Sequence, residues 1–87
     1  MVTCKHIKYD NCMEQERETY LKLGKNIRRY RLAKDISQEK LSELLDANSK
    51  FIGHVERVER FVSLKKLIQI STILEVPLSK LFDFTDI

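Results

Sequence analysis

Between positions 37 and 56 the chain reads SQEKLSELLDANSKFIGHVE, two short segments with apolar residues at helical spacing and a polar break between them. Leu41, Leu44 and Leu45 form the apolar face of the first segment, and Ile52 and Val55 that of the second. The break, Asp46-Ala47-Asn48-Ser49, is rich in residues that end or cap helices. Upstream, residues 13–34 contain no proline and place Tyr20, Leu23, Ile27 and Tyr30 at three- and four-residue steps. That spacing predicts a helix burying this face. Its acids come first (Glu14, Glu16, Glu18) and its bases last (Lys25, Arg28, Arg29, Arg31, Lys34), the order that suits the helix macrodipole. Gly24, inside this stretch, costs about 1 kcal/mol relative to alanine. It either permits a close packing contact or marks where the helix proper begins.

The punctuation downstream predicts the remaining elements. Asp35 ends the first helix, Ile36 turns inward, and Ser37 is the N-cap of a second helix reaching about Leu45. Asn48 is read as the N-cap of the third helix, leaving Ser49 and Lys50 in its exposed first turn. Ser63 caps a fourth helix over 64–75, with Leu64, Leu67, Ile68, Ser71 and Leu74 on one side. Pro77 stops it, and a short fifth helix over 78–82 brings Leu81 and Phe82 back to the core. Residues 1–12 have no clear period and read as an arm outside that core. With only two glycines and one proline in 87 residues, a sandwich or barrel built on tight turns is disfavoured. The expectation is a single all-α, compact five-helix domain over 20–87, with residues 1–19 as an N-terminal extension.

Charge narrows the function. The net charge is +3, but residues 21–60 carry ten basic and six acidic side chains, whereas the segments on either side are nearly balanced. The positive excess thus falls on the two paired helices, where it favours a polyanion. Two helices this close, with polar residues at the exposed start of the second, match the motif that lays one helix in a DNA major groove. No apolar leader and no run near 18 apolar residues is present, so the protein is expected in the cytoplasm, off the membrane, with Cys4 and Cys12 as free thiols. Cys4, His6 and Cys12 lack the regular spacing and fourth ligand of a zinc site, so no metal or cofactor is expected. No nucleophile elbow or glycine-rich phosphate loop suggests an enzyme or a small-molecule substrate.

From 21 to 82 the chain resembles the Cro and lambda-repressor type of helix-turn-helix regulators, the xenobiotic response element (XRE) family. The resemblance is carried by Leu23, Ile27 and Arg28, then Arg31, then Ile36-Ser37-Gln38-Glu39 with Leu41. It continues through Ile52, Val55-Glu56-Arg57, Ser63-Leu64 with Leu67, and Val76-Pro77-Leu78-Ser79-Lys80-Leu81-Phe82. It implies a lambda-repressor-like DNA-binding fold and a small transcriptional regulator, with repression the expected direction. The family usually has glycine where this chain has Asp46, Val58 and Glu75, and proline where it has Val62. Aspartate tolerates a left-handed backbone, but a β-branched valine does not. Because Ile52, Val55 and Val58 keep a helical step, the third helix is expected to run on to about Arg60, or the following loop to take an atypical path. A left-handed Val58 would instead be strained, and glycine there would relieve it.

Carried over position by position, the resemblance implies a recognition helix over 48–57 with Ser49, Lys50 and His54 against base edges. Lysine can donate to guanine O6 and N7. Gly53, lacking a side chain, would allow close approach to DNA. Gln38 and Ser37, with the N–H groups opening the second helix, would meet phosphates, and Arg57, Arg60 and Arg28 would add positive charge along the backbone. Arg31 and Glu56 would form a partly buried ion pair fixing the angle of the recognition helix. The apolar residues after Pro77 (Leu78, Leu81, Phe82, Phe84 and Ile87) exceed what a short terminal helix needs, so a homodimer through this end is expected, the fourth helix contributing. The competing reading is an antitoxin or protein-binding adaptor that keeps the fold.

Overall fold

The computed structural model describes residues 9–85, with side chains from residue 14 onward. The readings on Cys4, His6, the Cys12 side chain and Ile87 lie outside these residues. Five helices follow in order: α1 (Tyr9–Ala33), α2 (Gln38–Leu44), α3 (Phe51–Glu56), α4 (Leu64–Leu74) and α5 (Leu78–Leu81). No strand occurs among the described residues. α1 begins four residues before the expected start at Met13 and runs unbroken for 25 residues into the domain.

α1 packs against α3, α4 and α5, and α2 fills the remaining side against α3 and α4. The core is Leu23 and Ile27 of α1, Leu41 and Leu45 around α2, Phe51, Ile52 and Val55 of α3, Val62, Leu67, Ile70 and Leu74 around α4, and Leu81. Ile36 packs on it as expected. Two helix faces differ from their sequence reading. Leu44, Leu64 and Ile68 are 48%, 61% and 49% exposed, and Ile70 is buried instead. α4 carries two adjacent apolar stripes, and it docks through Leu67, Ile70, Ser71 and Leu74. Gly24 allows a close helix contact. A Cβ there would sit 3.1 Å from the carbonyl oxygens of both Val55 and Glu56, so α1 rests directly on the α3 backbone. Buried Asn26 closes the other end, donating from Nδ2 to the Leu81 and Asp83 carbonyls at 3.0 Å.

Four of the five helices end the same way, and glycine takes no part. Asp35, Asp46, Val58 and Glu75 all have φ between 56° and 59°. After each, the next residue's N–H reaches back five residues: Ile36 to Arg31, Ala47 to Ser42, Glu59 to His54, and Val76 to Ser71. The left-handed residue itself donates to the carbonyl three residues back. This is the Schellman arrangement, which satisfies carbonyls left over at a helix end. The Glu75 carboxyl is held below its ordinary range by a hydrogen bond from Lys34.

Val58 corrects the expectation of a third helix extended to Arg60. Its φ is 59°, and α3 stops at Glu56. The strain of a left-handed β-branched residue, about 1–3 kcal/mol, is opposed by its side chain's burial and by the 2.7 Å bond from Glu59 N–H to His54 O. Glycine would remove that strain and also the buried side chain, so the two effects oppose each other. Reversing here lets Val62 enter the core.

Candidate nucleic-acid interface

Two short helices, α2 and α3, meet across the turn over residues 45–50 to build the site. Ser37 Oγ accepts from Lys40 N–H at 2.9 Å and so caps α2. Asn48 Oδ1 accepts from Lys50 N–H at 2.9 Å, so Asn48 closes a turn just ahead of α3. The helix proper starts at Phe51, later than expected. His54 N–H still bonds Lys50 O at 3.0 Å, which sets Lys50 and His54 one turn apart on one face.

Lys50, the N-cap residue of α3, makes no side-chain cap hydrogen bond. The missing acceptor comes from α2: Ser42 Oγ takes Ile52 N–H at 3.0 Å and donates to Gln38 O at 2.9 Å. Ser42 is fully buried, and sequence reading did not single it out. The signal was a small hydroxyl placed between Leu41 and Leu45, two buried leucines.

Arg31 and Glu56 join α1 to α3. Arg31 Nε meets Glu56 Oε2 at 2.8 Å and Nη2 meets Oε1 at 3.2 Å, with the side chains 5% and 4% exposed. Arg31 Nη1 also donates to Ile36 O at 2.8 Å. Gln38 Nε2 donates to Glu56 Oε1 at 2.9 Å. Gln38 therefore braces α2 against α3 in the free protein, a role the sequence reading did not assign. Its amide nitrogen still carries a second proton.

Around this brace lies a solvent-facing notch of about 360 Å³ lined by Gln38, Glu39, Ser49, Lys50, Gly53, His54 and Arg57. Five of the residues singled out for DNA thus share one surface. Ser37, Arg28 and Arg60 do not line it. Arg28 is exposed on α1, four residues after Gly24 and three before Arg31, hence on the side of α1 that faces α3. The Arg60 guanidinium lies over the Phe51 ring at 5.5 Å, and Phe51 is a core residue that sequence reading missed. Gly53 is buried beneath neighbouring side chains: a methyl group there would stand 3.1 Å from Gln38 Oε1 and 3.2 Å from Arg57 Nη1. Its missing side chain makes room within the protein.

The apolar terminal residues are divided. Leu81 is fully buried in the protomer, which removes it from the expected dimer surface, because α5 needs it to anchor on α1 and α4. Phe82 is 42% exposed, with Leu78 and Phe84 half-buried.

No family model matches the chain. It is 41% identical over 59 residues to the control protein C.SmaI of Serratia marcescens, covering 68% of this chain and 70% of that one. It is 41% identical over 68 residues to the control protein C.BamHI of Bacillus amyloliquefaciens, covering 77% and 84%. The crystal structure of the restriction-modification controller protein C.AhdI from Aeromonas hydrophila matches with a TM-score of 0.68 and 36% identity, over 72% of this chain and 96% of that one. With this likeness added to the paired helices and their buried brace, the chain belongs to the controller proteins, transcriptional regulators of the XRE helix-turn-helix family.

Proposed function

We propose that this protein binds operator DNA as a homodimer and represses transcription there, and that the genes it controls belong to a restriction–modification system. The observation that carries the reading is the gathering of Gln38, Ser49, Lys50, His54 and Arg57 around one notch on a rigidly braced helix pair. Ser49, Lys50 and His54 read base edges. Gln38 and Arg57 hold phosphate, with Ser37, Arg28 and Arg60 adding contacts or charge on the flanks. No catalysis, metal, cofactor or small-molecule substrate enters the reading. No helix of the described residues is long and apolar enough to cross a membrane, and the proposed place of action is the cytoplasm, with the DNA.

Base reading and phosphate holding separate by mutation. Lys50→Ala weakens binding by about 1–3 kcal/mol on a duplex selected from a random pool, and much less on random DNA. Arg57→Ala weakens both duplexes alike and flattens the slope of log affinity against log salt by at most about one unit. Fluorescence anisotropy across a salt series measures both. Equal losses on both duplexes for the two variants would remove Lys50 from the bases. A wild-type protein that binds neither duplex would favour the adaptor reading.

The dimer rests on Leu78, Phe82 and Phe84, joined by the exposed Leu64 and Ile68 of α4. Sedimentation equilibrium at micromolar concentration is expected to give a dimer that Phe82→Asp weakens. A monomer at every concentration, free and on DNA, rejects it. Leu81→Asp is unsuited to this test, since a charge in the core attacks folding itself.

A further inference from the structure

Arg57 is engaged before any DNA arrives. Its Nε lies 3.1 Å from Glu59 Oε1, and both side chains are 56% exposed. Residues two apart on a continuous helix point away from each other, so this pair cannot form within one. Here the left-handed Val58 reverses the chain between them and brings the Glu59 side chain back toward Arg57. The guanidinium lies across Gly53, beside Gln38 Oε1, at the edge of the notch.

A second observation sets Glu59 apart. It occupies the position just after the left-handed residue of a Schellman end. At the three other helix ends that position holds Ile36, Ala47 or Val76, each packed on the core. In this arrangement an apolar residue commonly packs back on its helix. At α3 the exposed position carries a carboxylate, and the apolar contact is made by Val58 instead.

We infer that Glu59 is an internal competitor of DNA phosphate for Arg57, a brake that lowers the protein's affinity for DNA of any sequence. The inference rests on the placement of Arg57 against phosphate proposed above. To meet a phosphate, Arg57 must leave Glu59, and the carboxylate is then left beside a polyanion. Exposed pairs are weak, so the brake is modest and the exchange remains open to phosphate. Salt that loosens the Arg57–Glu59 pair returns part of what it removes from the DNA contact, which flattens the salt dependence of the wild-type protein.

The test is a double-mutant cycle read by fluorescence anisotropy on a random-sequence duplex and on the selected duplex, with folding checked by circular dichroism. Glu59→Gln is expected to tighten binding to both about two- to five-fold and to steepen the salt slope. In an Arg57→Ala background the same change is expected to do little, because the cation it competes for is gone. Equal tightening in both backgrounds would show that Glu59 acts only through its charge, and would overturn the brake while leaving Arg57 a phosphate contact. No tightening by Glu59→Gln alone also overturns it. If Arg57→Ala leaves affinity unchanged on both duplexes, the placement of Arg57 falls and the brake falls with it.

Discussion

Glu56→Ala and Arg31→Ala are each expected to lower the unfolding free energy by about 3–5 kcal/mol, the range for breaking one side of a buried ion pair. The reason is geometric. The Glu56 carboxylate receives Arg31 Nε, Arg31 Nη2 and Gln38 Nε2, and the Arg31 fork spends its remaining nitrogen on the Ile36 carbonyl. Removing either side chain leaves a charge in a nearly dry interior with too few partners. Small domains have about 5–15 kcal/mol of total stability, so the loss is a large share of it. Each kcal/mol shifts the melting midpoint of a domain this size by about 4–8 °C. Lys34→Ala removes the partner of exposed Glu75 and is expected to cost far less than either, because solvent screens an exposed pair. Urea unfolding of the three variants makes the comparison. A loss below about 1 kcal/mol for both Arg31→Ala and Glu56→Ala would mean that the pair braces nothing.

Ser42→Ala is expected to cost about 1–3 kcal/mol, although it deletes a single oxygen. That oxygen is the acceptor for Ile52 N–H at the start of α3, in a position water does not reach. A buried donor left without a partner carries its full desolvation penalty. Ser71→Ala is the control. Its hydroxyl only donates to Ile68 O within its own helix, and Thr72 Oγ1 bonds the same carbonyl. The control should therefore change stability by less than about 0.5 kcal/mol. Ser42 also sets where α3 begins relative to α2, so its loss should weaken binding to a selected duplex more than to random DNA. Equal stability of the Ser42 and Ser71 variants would show that Ile52 N–H finds another acceptor, and the proposed cap would be wrong.

What the chain states by itself is local. Ser37 and Ser63 cap α2 and α4 as their positions predicted, since a cap needs only its own side chain and an N–H three residues on. The left-handed Asp46 follows from the same short-range preferences. The five helices, their order and the paired-helix motif were legible for this reason. The Arg31–Glu56 pair was legible through the resemblance, but only the tertiary structure decided that it is buried. It also chose between the two apolar stripes of α4, leaving Ile68 outside and taking Ile70 in, because α1, α2 and α5 each cover part of that helix. It placed Leu81 inside the protomer and gave Asn26 partners 55 and 57 residues away. At Val58 the local rule was overruled. Steric preference favoured a continued helix, while two backbone bonds, a buried side chain and the entry of Val62 to the core required a reversal. Neighbours at three or four residues can be read along a chain, but groups brought from tens of residues away decide which apolar face is covered and which strain is tolerated.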